Sequence, residues 1–135
     1  MNPTNEPLII IDHRELPSGV PDLLKEAGAT VEIKSLRKGD YLVAKHFLVE
    51  RKTKNDFVVS IIGGRLFTQC LKIAQSQYHP LLIIEGNPYQ TAHNIKRSAI
   101  KGALLAVCTA WHIPIIFTHD REDTATTLMH SSQLV

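Results

Sequence analysis

Cysteine is scarce in this sequence. Cys70 and Cys108 are the only two in 135 residues. That is too few for a disulfide-stapled scaffold, and neither belongs to a paired metal-binding motif. Both lie in apolar, helix-like stretches, which predicts two buried thiols in a reducing compartment. Long apolar runs are also missing, since none approaches the ~20 residues that cross a membrane. The polar start, residues 1–7, lacks a basic region followed by an apolar core, so no secretory signal is read. The expectation is a soluble intracellular protein, cytoplasmic or at the nucleoid in a prokaryote and nuclear in a eukaryote. No Walker loop or dinucleotide fingerprint occurs, so no nucleotide cofactor is implied. The seven histidines, among them His13, His46, His79 and His112, show no zinc-ligand spacing beside a third ligand. Repeats, low-complexity tracts and linkers are absent.

A chain of this length fits one domain and can bury roughly two thirds of its unfolded surface. The hydrophobic share of 44% is ordinary, and the net charge of +2 is small. The distribution of charge says more. Lys34, Arg37, Lys38, Lys45, Arg51, Lys52 and Lys54 cluster with only Asp40 and Glu50 among them. A second cluster is Lys96, Arg97 and Lys101. Local basic patches on a near-neutral protein can hold a polyanion.

Residues 8–11 form a β-branched apolar run, read as a buried strand ending at Asp12. A short helix over 21–27 stops at Gly28, and residues 30–36 alternate as a strand. After the Gly39-Asp40 turn signal, residues 41–44 and 47–52 read as a strand pair. Asp56 is expected to cap a helix carrying Val58, Ile62, Leu66, Cys70 and Ile73, interrupted at Gly63-Gly64. Residues 81–84 and 114–117 are further apolar strands, with the likeliest loop over 86–97. Ser98 is expected to cap the helix carrying Ile100, Leu104, Leu105, Cys108 and Trp111. Asp120 with Asp123 marks the start of a last helix with Ala125, Leu128 and Met129. Alternating strands and helices predict an α/β fold, a central mixed sheet flanked by helices on both faces.

Chemistry concentrates at Asp40, Glu50 and Lys52. On a strand, Glu50 and Lys52 share a face with Leu48, while Arg51 points the other way. If the two strands pair as a hairpin, Asp40 comes close to Glu50. Two neighbouring carboxylates repel, and a divalent cation relieves that repulsion. Oxygen ligands with several waters suit Mg²⁺. The cation would make water more nucleophilic and offset charge on a phosphate. Lys52 is placed to orient or deprotonate that water, or to stabilise developing negative charge. Asp, nine residues, then Glu-x-Lys is the carboxylate–carboxylate–lysine arrangement of restriction-endonuclease-like nucleases. Asp12 sits at the carboxyl end of a strand, where α/β sheets place sites. Arg65, Gln69 and Lys72 fall on one helical face, with Lys72 read as plain exposed surface. Tyr41 and Trp111 are read as packing residues.

These segments together resemble the nuclease domain of the XPF/Hef family of structure-specific DNA endonucleases. The matching residues are Asp12-His13-Arg14-Glu15, Gly39-Asp40, Val49-Glu50-Arg51-Lys52-Thr53-Lys54-Asn55-Asp56, and Ser60-Ile61 through Gly64-Arg65-Leu66 to Gln69. The late segment over 114–118 matches as well. The resemblance implies a restriction-endonuclease-like fold, dependence on Mg²⁺ or Mn²⁺, and cutting of flaps, forks or other branched DNA in repair or recombination. It implies a catalytic set of Asp12, Asp40, Glu50, Arg51, Lys52 and Asp56. Asp40 and Glu50 would be metal ligands, with Asp12 close by and the Arg51 carbonyl a further candidate. Arg14, Glu15, Arg65 and Gln69 would complete the site. Phosphate contacts are expected from Arg37, Lys38, Lys54, Lys96 and Arg97, making binding salt-dependent.

Relatives append tandem helix-hairpin-helix modules, and no such domain is read here. The expectation is one nuclease domain over 1–135, whether excised, stand-alone or assisted by a helper DNA-binding protein. Apolar Leu104, Ala110, Leu128 and Met129 look numerous for single-sided packing, which predicts a homodimer. The alternatives are a non-catalytic DNA-binding or scaffolding module of the same fold, and a resolvase or restriction-type enzyme.

Overall fold

The structure, a computed structural model, describes residues 8–135; the polar start lies outside the described residues. Six strands form one sheet: β1 (Leu8–Asp12), β2 (Thr30–Lys34), β3 (Tyr41–Val43), β4 (Phe47–Thr53), β5 (His79–Glu85) and β6 (Ile115–Thr118). Their order is β2-β1-β3-β4-β5-β6. β1 pairs β2 in parallel, β3 runs antiparallel to both β1 and β4, and β4, β5 and β6 are parallel. The helices are α1 (Val20–Glu26), α2 (Lys54–Ile62), α3 (Leu66–Ala74), α4 (Arg97–Thr109) and α5 (Arg121–Ser132). A 3₁₀ segment, His13–Ser18, links β1 to α1. This is the mixed, two-faced α/β sheet expected from the alternation of elements. No single helix among the described residues is long and apolar enough to cross a membrane.

Strand periodicity divides the core in two. Ile10, Leu42, Leu48, Leu82 and Ile84 face α2, α3 and α4, where they meet Phe57, Ile73 and Val107. Ile9, Ile11, Tyr41, Val49 and Ile83 face α1 and α5, where they meet Leu24 and Leu128. Each fully covered side chain of this size stabilises the fold by about 1.5–3 kcal/mol.

Two turns set the position of the central hairpin. Ala44 and Lys45 both take left-handed φ values of 52° and 51° between β3 and β4, closed by His46 N–H donating to the Val43 carbonyl at 2.9 Å. That geometry matches the twist of paired strands. Before β3, Gly39 sits at φ +72°, and a Cβ there would lie 2.7 Å from Leu48 Cδ1. Only glycine fits both the conformation and the space.

Several local expectations are corrected. α2 starts at Lys54 because Thr53, not Asp56, is its N-cap: Thr53 Oγ1 accepts from the Asp56 N–H at 3.2 Å. Asp56 lies in the first turn, where a carboxylate complements the helix dipole. α4 begins at Arg97 behind Lys96, without a side-chain cap, so Ser98 is inside the helix. Cys70 is buried as expected, but Cys108 is exposed. α4 turns Ile100, Ala103 and Val107 to the core and leaves Leu105 exposed. The apolar surplus behind the homodimer expectation is largely absorbed internally: Leu128 is fully buried, and Leu104 and Met129 pack against the core. The Gly63-Gly64 break holds as expected, with α2 and α3 meeting at 109°. The Asp120–Asp123 start of α5 also holds, with the Asp123 N–H donating to Asp120 Oδ1 at 2.8 Å.

Gly39→Ala is expected to destabilise the fold by about 1 kcal/mol or more, because it forces Leu48 aside directly before Asp40. A thermal melt by circular dichroism checks this; an unchanged midpoint would contradict the packing.

Candidate active site

β4 carries the chemistry on one edge-on stretch of sequence. Its period of two puts Leu48, Glu50 and Lys52 on the α2/α3 face and Val49 and Arg51 on the α1/α5 face. The β3–β4 register pairs Tyr41 with Val49, so Asp40 comes alongside Glu50 on the same face. A cleft of about 290 Å³ forms there, lined by Asp40, Glu50, Lys52, Asp56, Arg65 and Gln69 among others. α2 supplies Asp56 one turn after β4. The sharp bend at Gly63-Gly64 brings α3 back, so that Arg65 and Gln69 close the cleft.

The carboxylates are held under electrostatic load. Burial pushes Asp40 up to about 8, and the charges of Glu50 and Glu15 add to this. Burial also raises Glu50, and Glu15 adds to this, while Lys52 pulls the other way. Asp40 is nonetheless fixed in place: its Oδ2 accepts from the Arg51 backbone N–H at 2.8 Å, and its own N–H donates to the Val49 carbonyl at 2.8 Å. Lys52 is 7% exposed and lines the cleft.

Two observations bear on whether such a cleft fits a metal ion. No group of three or more His, Cys, Asp or Glu side chains converges on one point among the described residues. A closed, all-protein metal cage is therefore not built here. Mg²⁺-type ions do not need one, because they bind through one or two carboxylates and keep several waters. The second observation is Gln69 Oε1, which is buried without a hydrogen-bond partner among the described residues. A buried acceptor left bare costs about 1–3 kcal/mol. It borders the same cleft as Asp40 and Glu50. Repelling carboxylates beside an unsatisfied acceptor fit a hydrated divalent cation.

Behind the cleft, Arg51 anchors the strand. Its Nη2 reaches Glu85 Oε2 at 2.8 Å, its Nε reaches Glu85 Oε1 at 3.1 Å, and its Nη1 reaches Glu15 Oε1 at 3.5 Å. Tyr41 donates its hydroxyl to Glu15 Oε1 at 2.6 Å. Thr124 of α5 donates to Glu85 Oε1 at 2.7 Å and shares a further 2.7 Å bond with Thr118. This network joins the 3₁₀ segment, β3, β4, β5, β6 and α5. Glu85, Thr118 and Thr124 escaped the sequence reading. Glu85 did carry a usable signal, an acid at the carboxyl end of an apolar strand. Tyr41 is a fully buried packing residue, as expected.

The other expected residues divide. Asp12 is fully buried but stands outside the cleft lining. Its Oδ2 accepts from the Arg14 Nε at 2.6 Å and backbone N–H at 3.1 Å, and its Oδ1 from the Leu36 N–H at 2.8 Å. Burial would raise its pKa, and these bonds outweigh that and lower it. Asp12 therefore touches the site through the backbone, its N–H donating to the Asp40 carbonyl at 2.8 Å. Glu15 is committed to Arg51 and Tyr41. Arg14, Arg37, Lys38, Gln69 and Lys72 border a second opening of about 280 Å³ onto Asp40 and Glu50. Lys72, read from sequence as plain surface, thus joins a basic rim. Lys54 lies on the other side of β4, and Lys96 and Arg97 lie outside both openings.

A mixed six-stranded sheet with flanking helices, holding two carboxylates and a lysine at the end of its central hairpin, defines a restriction-endonuclease-like α/β domain. The chain belongs to the ERCC4 domain family, whose profile matches residues 11–130. Over 121 residues it is 34% identical to the 3′-flap repair endonuclease Xpf of Saccharolobus solfataricus, covering 89% of this chain and 52% of that protein. A putative ATP-dependent RNA helicase of Methanocaldococcus jannaschii is 44% identical over 121 residues, covering 90% of this chain and 15% of that protein. The solved structure of XPF from Aeropyrum pernix in complex with DNA superposes with a TM-score of 0.90 at 33% identity, covering 96% of this chain and 64% of that one. The chain spans less than two thirds of each of these relatives.

The raised pKa of Asp40 makes a signed prediction for metal-free protein. Its folded value of about 8 lies above the ordinary aspartate value of 3.8. The fold thus holds a proton that the unfolded chain releases, and stability falls as pH rises between those values. Asp40→Asn removes the charge and keeps an acceptor for the Arg51 N–H. In EDTA its melting point is expected to exceed that of the parent by a margin that grows from pH 5 to pH 8. A constant or shrinking margin would contradict the assignment.

Proposed function

We propose that this chain is the nuclease module of a DNA endonuclease that hydrolyses phosphodiester bonds at flaps, forks or other branched structures in repair or recombination. The observation that carries the reading is the buried Asp40–Glu50 pair with Lys52 beside it, in a member of the ERCC4 domain family. The relatives named as repair endonucleases, and the XPF structure solved with DNA, support the substrate class. The helicase name belongs to a protein of which this chain spans 15%, and the sequence carries no Walker loop.

Asp40 and Glu50 are the groups to hold a divalent cation, Mg²⁺ or Mn²⁺, with Gln69 Oε1 as a further acceptor. When bound, that cation supplies charge neutralisation at the scissile phosphate and a more nucleophilic water. The chain's own residues do the rest. Lys52 directs its ammonium at the cleft, where it orients the water or stabilises charge developing on the phosphate. Arg65 and the Arg14, Arg37, Lys38 and Lys72 rim draw the DNA backbone in and fix its position. Arg51 is a positioning residue, aligning Asp40 through its backbone N–H and holding β4 through its side chain. Asp12 orders Arg14 and the start of β3, and Asp56 stands at the cleft margin. A second copy of the chain is the proposed partner of the last two helices, where Leu105 of α4 and Ala110 at its end are exposed.

Labelled flap, fork and linear DNA incubated with Mg²⁺, Mn²⁺ or EDTA tests this reading. Products are expected only with metal and chiefly from branched DNA. Lys52→Ala and Asp40→Ala should each cut at least about a hundredfold more slowly while DNA binding persists. Binding with no product under any metal would favour a non-catalytic module.

A further inference from the structure

A cleft of about 1050 Å³, larger than the acidic one, opens beside it. It opens at the carboxyl ends of the parallel strands β4, β5 and β6, where α/β sheets commonly place ligands. Its wall runs from Thr53, Lys54 and Asn55 at the start of α2, across the 86–90 segment, to Phe117 and residues 118–122. The size is near the upper end of the ~300–1,000 Å³ typical of small-ligand sites, which suits a short run of chain-like ligand better than one ion.

The lining has the chemistry of a nucleobase site. Phe117 is 52% exposed on the edge strand, while Tyr89 forms part of the wall, packed against the core with the Arg97 guanidinium over its ring at 4.3 Å. The carboxylates at the wall are already engaged. Glu85 binds Arg51 and Thr124, Asp120 caps α5, and Glu122 pairs with Arg121 at 3.4 Å. Lys54 packs its stem on Gly86, where a Cβ would lie 3.1 Å from Lys54 Cδ. Asn55 and Gln90 add exposed amides that can meet base edges. Aromatic faces take bases only when these are unstacked, as in single strands.

The cleft is also contiguous with the acidic site. Arg51 borders both, and the first turn of α2 divides them, with Asn55 on one side and Asp56 on the other. A DNA strand crossing Asp40 and Glu50 reaches the second cleft by passing that turn.

We infer that this second cleft binds the unpaired strand of a branched DNA, seating its bases against Phe117 and its phosphates near Lys54. This rests on the endonuclease reading and adds to it a means of selecting junctions over plain duplex. The basic cluster around Arg97, which the acidic site leaves unused, then acquires a role as a brace for Tyr89.

Fluorescence anisotropy in EDTA, with labelled oligothymidylate and a blunt duplex of the same length, provides the test. Phe117→Ala and Lys54→Gln are both changes outside the buried core, and circular dichroism melts confirm their folding. Phe117→Ala is expected to weaken oligothymidylate binding at least about fivefold, as loss of one base stack does, and Lys54→Gln to weaken it and lower its salt dependence, with duplex binding held within about twofold in both. No binding of oligothymidylate by the parent protein, unchanged affinity in Phe117→Ala, or an equal loss on duplex would each overturn the proposal. Because no cutting is measured, a protein that cleaves nothing can still pass this test. One that cleaves branched DNA can still fail it.

Discussion

The two-residue period of β4 is the constraint on which the site depends. Glu50 and Lys52 point to one face, so they share a cleft with Asp40. Arg51, between them, must then point into the opposite face, which is otherwise a core of Ile, Val and Leu side chains. A guanidinium there is tolerable only if paired. Glu85 and Glu15 supply that pairing, and Tyr41 and Thr124 donate to these two acids in turn, so four other elements take part. The front of the strand can carry unbalanced charge because the back is locked.

The two faces treat charge in opposite ways. Behind the sheet, acids and a base meet at hydrogen-bond distance. In front, two carboxylates are crowded together, and Gln69 offers an acceptor that nothing among the described residues satisfies. Perturbed carboxylates of this kind cluster at functional sites. Asp12 shows the contrast. It is as buried as any residue in the chain, yet its oxygens are filled and its pKa is lowered.

Much of this was legible in the sequence. Strand alternation separated Glu50 and Lys52 from Arg51, and the Gly39-Asp40 signal before a second strand brought the other carboxylate beside them. The break at Gly63-Gly64 and the apolar runs of β1 and β5 were equally plain. What local pattern could not give was pairing at a distance. Arg51 finds Glu85 34 residues on and Glu15 36 residues back, so its structural burden was invisible. The orientation of Asp12 depends on the Leu36 amide, 24 residues away. Caps were misplaced by three and two residues, because Thr53 and Lys96 hold the N-cap positions expected of Asp56 and Ser98. Cys108 lies one position beyond Val107, and a single helical step turns it from core to solvent.

The central claim is that one strand divides its labour, Arg51 for structure and Lys52 for chemistry. Side-by-side thermal melts of Arg51→Met and Lys52→Met in metal-free protein test it most directly. Removing Arg51 strands two buried carboxylates and should cost about 3–5 kcal/mol. Lys52→Met should melt close to the parent protein. A loss in Lys52→Met as large as that in Arg51→Met, or none in Arg51→Met, would contradict the division.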